Sequence, residues 1–270
     1  MPQPLAAIRL IVPTRDSWRL LPRLVHSLQS QTLDQWQATF IDASEQPETQ
    51  TWLENLCRQD PRFRWQPQRQ GAGGIFAAMN QGFDQAGPHD WLLFWGSDDW
   101  AAGPTVLAEA LEGLDAAIAA GEPPDLLVAS GRYFELPEGA EPRAGRRSAF
   151  HWHHSYRRSL LLGSTPPHQA TLIGPGARRL AGPYRAGFQL AADLDHFLRL
   201  SRCPGLRVSR LPLELVHMGA GGISARQTRR RLQEVRLAYR SAFGPIWPLP
   251  FLLRYRQRLL SRMGLDRSRS

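Results

Sequence analysis

The first half of the chain alternates short apolar runs with segments whose apolar residues recur every three or four positions. The runs are typical of buried strands, and the spaced segments are typical of amphipathic helices. Strands are predicted at residues 8–12, 37–41, 63–65, 91–95 and 126–130, and helices at 18–28, 49–57, 74–86 and 106–119. Strands separated by helices indicate an α/β fold with a mostly parallel central sheet flanked by helices.

The second half has a weaker pattern. Residues 137–147 are rich in Gly, Pro and charge, which predicts a loop. Beyond them we predict a strand at 169–173, a helix at 192–201, an extended segment at 206–216, a mobile glycine-rich loop at 219–222 and a basic helix at 224–243.

Positive charge is concentrated at the carboxyl end. All 33 basic residues are arginine, and residues 226–270 hold 12 of them against two acids, Glu234 and Asp266. The remainder of the chain is nearly neutral, which argues against a uniformly basic nucleic-acid binder. We therefore predict a domain at residues 1–225 and a basic helical extension at 226–270. Two hypotheses for the role of that extension stay open. It contacts a membrane surface, or it is a solvated helix that packs on the domain.

Composition narrows the class of protein. With 270 residues and 42% hydrophobic residues, the chain is long and apolar enough to fold around a core. Cys57 and Cys203 are too few for a disulfide scaffold or a multi-cysteine zinc site. The start of the chain lacks the pattern of a signal peptide, and no apolar run approaches the ~20 residues of a spanning helix. We expect a cytoplasmic protein, free or peripheral at the inner face of the membrane.

Polar residues follow three of the predicted strands, where a parallel sheet binds its ligands. They are Thr14-Arg15-Asp16, Asp42-Ala43-Ser44 and Ser97-Asp98-Asp99. Adjacent carboxylates after an apolar strand favour a hard divalent cation together with a diphosphate. The alternative is a turn that caps the next helix.

Other candidates are less specific. The glycines at 71–74 match neither the Walker motif nor the dinucleotide motif. Asp193 and Asp195 are either ordinary acids of a helix N-terminus or include a general base. The histidines at 151, 153 and 154 lack the partners of a zinc site. His168 and His217 are candidates only if they border the same cleft.

Taken in order, these segments resemble a family 2 glycosyltransferase of the GT-A fold, of the type that builds bacterial surface polysaccharide. The resemblance spans roughly residues 8–225. The matching motifs are Val12-Pro13-Thr14-Arg15-Asp16, Asp42-Ala43-Ser44, Gly74-Ile75-Phe76-Ala77-Ala78-Met79-Asn80-Gln81-Gly82, Phe94-Trp95-Gly96-Ser97-Asp98-Asp99, His168-Gln169-Ala170-Thr171-Leu172, Ala192-Asp193-Leu194-Asp195-His196-Phe197-Leu198-Arg199 and Gly221-Gly222-Ile223-Ser224.

The resemblance implies an inverting transfer of sugar from a nucleotide-sugar donor to a hydroxyl of a glycan or lipid-linked acceptor, with Mn²⁺ or Mg²⁺ as cofactor. It implies that Asp99 binds the metal, with His217 completing the site, and that Asp193 is the general base. The residues implied to line the donor are Pro13, Thr14, Asp16, Asp42, Ser97 and Asp98.

The chain departs from the family pattern at three positions, with Asp16 for the usual Asn, Ala72 for an acid or amide, and Ser97 for the first acid of the metal motif. These departures leave open an inactive pseudo-transferase that binds nucleotide or glycan. A nucleotidyltransferase would need a glycine-rich loop after the first strand, which this sequence lacks. Nucleic-acid binding through the extension is a further alternative.

Overall fold

Strands and helices alternate through the first half of the molecule. The computed structural model describes residues 7–71, 73–136, 142–144, 156–220 and 227–262, with side chains of the last helix described through Arg256. The first elements are β1 (Ile8–Thr14), α1 (Leu21–Gln29), β2 (Trp36–Asp42), α2 (Pro47–Gln59), β3 (Phe63–Pro67), α3 (Ile75–Asp84), β4 (Trp91–Phe94), β5 (Trp100–Ala101), α4 (Val106–Ala119) and β6 (Leu126–Glu135).

Helices and short strands make up the second half. They are β7 (Arg143–Ala144), α5 (Tyr156–Leu161), β8 (Thr171–Ile173), α6 (Pro175–Ala181), α7 (Ala192–Ser201), β9 (Val208–Gly219), α8 (Thr228–Phe243) and α9 (Pro248–Arg262). The predicted α4 and α7 have the observed bounds. Part of the predicted strand at 169–173 is a 3-10 turn, His168–Ala170. Most of the predicted loop at 137–147, all three of the clustered histidines at 151–154, and Gly221 and Gly222 lie outside the described residues.

One sheet joins all nine strands of the described part. Its order is β3-β2-β1-β4-β8-β6-β9-β5, with β7 paired to β6. The first half supplies the parallel pairs β3-β2, β2-β1 and β1-β4, as strands connected through helices must. Strand β8 enters antiparallel between β4 and β6, and β6 runs parallel to β9. The α/β fold class is confirmed, with antiparallel pairs concentrated in the second half.

The core has two layers because successive strand side chains point to opposite faces of the sheet. Leu10, Val12 and Leu93 belong to one apolar cluster, which α1, α2 and α4 cover. Ile11 and Phe94 belong to the other, which α3, α6, α7 and α8 cover. The sheet is therefore buried on both faces, and only its edges and strand ends are open to a ligand.

Both C-terminal helices pack on the body of the molecule. In α8, Val235 and Tyr239 are buried in the same cluster as α7. In α9, Arg254 is buried, and its Nη1 donates a hydrogen bond to the carbonyl oxygen of Gly163 at 3.2 Å. The boundary at 225/226 stays a prediction, but the described part of the extension shares the core of the domain. None of the described helices is long and apolar enough to cross a membrane.

The contact between Gly163 and α9 is tight enough to test. Gly163 has φ +84°, and a Cβ there would overlap the backbone of Arg254. Gly121 has φ +78° and open space around it. Both Gly→Ala variants place alanine in a left-handed conformation, which costs about 1–2 kcal/mol. We expect Gly163→Ala to lower the free energy of unfolding, measured by urea titration, by clearly more than Gly121→Ala. Equal losses would show that α9 does not depend on this contact.

Candidate active site

The carboxyl ends of β1, β2 and β4 meet at one edge of the sheet, as the sequence predicts. Thr14 and Asp42 end their strands as register partners. Beyond β4, the Ser97 hydroxyl donates a hydrogen bond to the Pro13 carbonyl oxygen at 3.2 Å and accepts one from the Ser17 hydroxyl at 3.0 Å. These bonds tie the turn after β4 to the turn after β1. The structure therefore brings Pro13, Thr14, Asp42 and Ser97 together.

The Asp42 carboxylate is held by one of its two oxygens. The hydroxyls of Thr14 and Ser44 donate to Oδ1 at 2.8 and 2.6 Å. Asp42 is 7% exposed, and no group in the described part of the chain donates to Oδ2. The second oxygen is thus available to an N–H or O–H group of a ligand.

Asp16 has a local structural role that its motif did not reveal. Its backbone has φ +47°, a left-handed conformation that Asp tolerates better than most residues. Its Oδ1 accepts the backbone N–H groups of Glu45 and Gln46, both at 3.2 Å, just before α2. Its own N–H donates to the Ser44 hydroxyl at 2.7 Å. The Asp16 carboxylate thus links the turn after β1 to the turn after β2. Its contact with a nucleotide stays a prediction.

Asp98 and Asp99 form an acidic pair without a basic partner among the described residues. Asp99 is 2% exposed, and its Oδ2 accepts the Gly96 N–H at 2.6 Å. The Asp98 carboxylate lies against Gly96 and against Gly219, the last residue of β9, where a side chain would collide with it. The pair is therefore wedged between two glycines at the open end of β4.

Burial sets the protonation of this pair. It raises the pKa of the Asp99 carboxyl well above its usual range, and the negative charge of Asp98 raises that pKa further. Hydrogen bonds from backbone N–H groups lower it in part. Burial also raises the pKa of Asp98. Two adjacent carboxylates in this state are strained when both ionise, and a bound cation relieves that strain.

The residues present fit a divalent ion that is shared with a phosphate. The described part of the chain contains no group of three His, Cys, Asp or Glu side chains placed to hold a metal on their own. Mg²⁺ in nucleotide sites takes one or two carboxylates and completes its shell with phosphate oxygens and water. Asp98 and Asp99 provide that donor set.

His217 lies on β9, with its ring against Phe134 and Trp100 at centroid distances of 4.5 and 5.5 Å. Its Nε2 is 2.8 Å from Glu214, which Arg132 also binds at 2.8 Å. The Arg132 hydrogen bonds lower the pKa of Glu214. Because an ionised carboxylate only accepts, Nε2 carries the proton and a neutral ring keeps its lone pair on Nδ1. The structure does not group His217 with Asp98 and Asp99, so its role as a ligand stays a prediction.

The two acids of α7 differ sharply in their surroundings. Asp195 is 1% exposed and forms ion pairs with Arg199 at 2.9 Å and Arg185 at 3.4 Å. Asp193 is half-buried, and no hydrogen bond or ion pair reaches its carboxylate from the part of the chain that the structure describes. Asp195 is thus committed to structure, and Asp193 is the carboxylate with free oxygens.

Sequence reasoning missed Tyr184, whose ring contacts both Phe94 of β4 and His196 of α7. The Tyr184 hydroxyl lies 2.7 Å from Nε2 of His168, and both side chains pack on Phe94, the last residue of β4. Burial raises the pKa of Tyr184, and the negative charge of Asp193 adds to this effect. The charge of Asp193 thus acts on a tyrosine that packs against the last residue of β4. No local pattern around Tyr184 indicated this contact.

The histidines near Asp193 are uncharged at neutral pH. Burial lowers the pKa of His168. Burial, with the charges of Arg199 and His168, lowers the pKa of His196 to about 3. Neither His168 nor His196 therefore provides a positive charge that could pair with Asp193.

Comparison with known structures defines the class. TarS of S. aureus matches with a TM-score of 0.63 and 16% identity over 98% of this chain, which covers only 44% of that longer protein. Its 1–349 fragment in complex with UDP-GlcNAc matches with a TM-score of 0.59 and 15% identity, over 97% of this chain and 74% of that one. The mannosyltransferase PcManGT of Pyrobaculum calidifontis, in complex with GDP-Man and Mn²⁺, gives 0.62 and 14%, over 96% and 71%. The fold is that of a GT-A glycosyltransferase.

Sequence comparison then gives the family. The model of glycosyl transferase family 2 matches residues 10–165. A PGL/p-HBAD biosynthesis glycosyltransferase of Mycobacterium bovis (strain BCG / Pasteur 1173P2) is 28% identical over 198 residues, which is 73% of this chain and 70% of the relative. The chain belongs to glycosyl transferase family 2, and the prediction of a glycosyltransferase is confirmed.

The acidic pair predicts an unusual dependence of stability on pH. Both pKa values are raised in the folded state, so their contribution to stability is complete below the ordinary Asp value of about 4 and is lost as pH rises through the raised values. In EDTA, we expect the Tm of the wild type minus that of Asp98→Asn/Asp99→Asn to fall as the pH rises from about 4 through the raised pKa values.

Taking the difference between the two proteins cancels the titration of all other groups. Mn²⁺ should raise the Tm of the wild type at the higher pH and leave the variant unchanged. A difference that is constant or grows with pH would contradict the raised pKa values.

Proposed function

We propose that this chain transfers a sugar from a nucleotide-sugar donor to a hydroxyl acceptor with inversion at the anomeric carbon. The observation that carries the proposal is that the fold holds two kinds of carboxylate: an acidic pair directly after β4, and Asp193, whose charge acts on the tyrosine that packs on the last residue of that strand. Among the described residues, no basic side chain pairs with Asp98 or Asp99, and no group donates a hydrogen bond to the Asp193 carboxylate. The complexes of TarS with UDP-GlcNAc and of PcManGT with GDP-Man support the choice of donor class.

The donor would lie across the ends of β1, β2 and β4. The free Oδ2 of Asp42 suits an N–H group of the nucleobase, and Thr14 orients that carboxylate through Oδ1. Pro13, Asp16 and Ser97 form the turns that border the same edge. Backbone and hydroxyl groups there suit the ribose and the diphosphate.

Asp99, with Asp98, would hold a divalent ion at the diphosphate. His217 would join this site through Nδ1 only after a movement of β9 or of the turn after β4, because the structure does not group it with the acidic pair. When bound, the ion offsets the negative charge that grows on the leaving diphosphate. The Mn²⁺ in PcManGT supports this assignment.

Asp193 would accept the proton of the acceptor hydroxyl. As the acceptor oxygen bonds to the anomeric carbon, the bond from that carbon to the diphosphate oxygen breaks, and the proton ends on Asp193. A single displacement of this kind inverts the configuration. A positioned carboxylate base contributes about 10²–10⁴-fold to the rate.

Nucleotide binding tests the donor site. We expect one of UDP, GDP, CDP or dTDP to raise the Tm with Mn²⁺ and to lose most of that effect in EDTA. A ligand present at 100 times its Kd adds about 2.7 kcal/mol of stability. The Asp99→Ala variant should lose the metal-dependent part. Absence of a shift with all four nucleotides would contradict the proposed donor site.

Turnover tests the base and distinguishes an enzyme from an inactive nucleotide-binding protein. We expect Asp193→Asn to lower release of nucleoside diphosphate from the matching nucleotide sugar by about 10²-fold or more while the nucleotide-induced Tm shift is kept. Asp115→Asn, an exposed acid of α4, is the control and should act as wild type. Wild-type turnover by Asp193→Asn would overturn the base assignment, and nucleotide binding with no turnover by the wild type would favour the pseudo-transferase.

We also propose that the C-terminal helices rest on an anionic membrane surface. Ile246, Leu249 and Leu252 follow at three-residue spacing and are 58, 57 and 63% exposed. Arg236, Arg240 and Arg256 are exposed nearby, and the only acid at residues 227–256, Glu234, is buried. An apolar ridge among unopposed arginines matches lipid with negative headgroups, at about 1 kcal/mol per basic residue.

Vesicle sedimentation tests this contact. The full chain should pellet with vesicles of phosphatidylcholine containing phosphatidylglycerol, and less with phosphatidylcholine alone or at high salt. Leu249→Ser/Leu252→Ser should weaken binding, whereas Leu20→Ser, an exposed leucine before α1, should not. Binding to duplex DNA with none to vesicles would replace this proposal by nucleic-acid binding.

A further inference from the structure

Helix α7, which carries Asp193, begins without a cap of its own. Its N-cap residue is Ala191, which has no side-chain hydrogen bond to offer the exposed N–H groups of the first turn. Helices usually meet this need with Ser, Thr, Asp or Asn at that position, and loss of such a cap destabilises the helix. The start of α7 must therefore be held from elsewhere in the fold.

Glu234 of α8 does not cap the first turn, but it holds the segment that leads into the helix up to its N-cap residue. Its carboxylate accepts the backbone N–H groups of three consecutive residues, Gln189 at 3.0 Å, Leu190 at 2.7 Å and Ala191 at 3.0 Å. Glu234 is 7% exposed and bonded on its outer side by Nε of Arg230 at 3.2 Å. The negative charge also faces the positive end of the α7 dipole.

The segment that Glu234 holds is adjacent to Asp193. Ala191 is the N-cap and Ala192 the first helical residue, so Asp193 is the second. Because successive residues of a helix turn together, a shift at 189–191 rotates the Asp193 carboxylate out of line. Neither Asp193 nor Tyr184 contacts Glu234 through a hydrogen bond, and the bonds that Glu234 accepts from this segment come from backbone N–H groups, so we expect its main effect on chemistry to pass through the backbone.

We infer that Glu234 is a positioning residue that fixes the direction of Asp193. The basic extension thereby becomes part of the catalytic apparatus, because α8 holds the helix on which the base stands. The inference rests on the proposed role of Asp193 as base. It adds a requirement for a negative charge, and not merely a side chain of the same size, at position 234.

Glu234→Gln tests that requirement. Glutamine has the same shape, but its single acceptor oxygen and its N–H₂ group cannot satisfy three converging N–H donors. Arg230→Gln is the matched control, because it removes the outer ion pair and leaves the three amide bonds to Glu234 in place. Hydrogen exchange of full-length protein should be faster at 189–191 in Glu234→Gln and unchanged in the control.

Turnover then separates positioning from general destabilisation. With the nucleotide sugar that the binding panel selects, we expect Glu234→Gln to lower kcat by roughly 10- to 100-fold, as misplaced catalytic groups do, while donor KM changes less than about twofold. In the Asp193→Asn background the same substitution should cause no further loss. An unchanged kcat, or an equal further loss in that background, would overturn the inference.

Failure of this inference and failure of the proposed function give different results. If Asp193→Asn is inactive and Glu234→Gln turns over as wild type, only the positioning role is wrong. If Asp193→Asn turns over as wild type, the base assignment is wrong and the positioning role falls with it, whatever hydrogen exchange shows at 189–191.

Discussion

The central constraint on the site is an acidic pair at the end of β4, in which Asp99 is buried and Asp98 is partly buried. The two carboxylates repel each other where water screens them only partly, and desolvation raises the pKa of both. The fold keeps them there with backbone N–H groups and with glycines at positions 96 and 219, whose missing side chains leave the required space. Such an arrangement is stable enough to fold and still favours the arrival of a cation.

The remaining groups of the site take their places from the sheet around that pair. Parallel pairing of β1 with β2 brings Thr14 next to Asp42, and hydroxyl bonds at Ser17 and Ser97 join the turns. On the other side, Phe94 packs on His168 and Tyr184, which lie close to the unpaired Asp193. The carboxylates that we propose for the donor thus follow the sheet strands, and the proposed base is linked to β4 through Tyr184. Glu234 extends this dependence to the C-terminal helices, because its buried charge holds the segment that leads into α7.

The local pattern predicted most of the first half because each element there has its own period. Val106–Ala119 has the predicted bounds, the apolar runs correspond to β1, β2 and β4, and in the second half only Ala192–Ser201 was predicted as closely. Short elements such as β5, β7 and α5 have too few residues to show a period. The antiparallel entry of β8 between β4 and β6 was also beyond the pattern, since strand order follows from packing between distant segments.

The α/β class, the polar ends of the strands and the motifs that include Asp42, Asp98, Asp99 and Asp193 could be predicted from the sequence alone. Strand periodicity and the order of motifs are local properties of the chain. Which of those side chains already have hydrogen-bond or ion-pair partners within the protein depends on the tertiary structure. In the structure Asp195 forms ion pairs with arginines, whereas Asp193 has none among the described residues. Asp16 accepts hydrogen bonds from the segment before α2, and His217 is hydrogen-bonded to Glu214. The basic extension, which the sequence distinguishes by its charge, forms helices whose buried residues belong to the core of the domain. Burial and pairing depend on residues far apart in the chain, and for that reason no local pattern contains them.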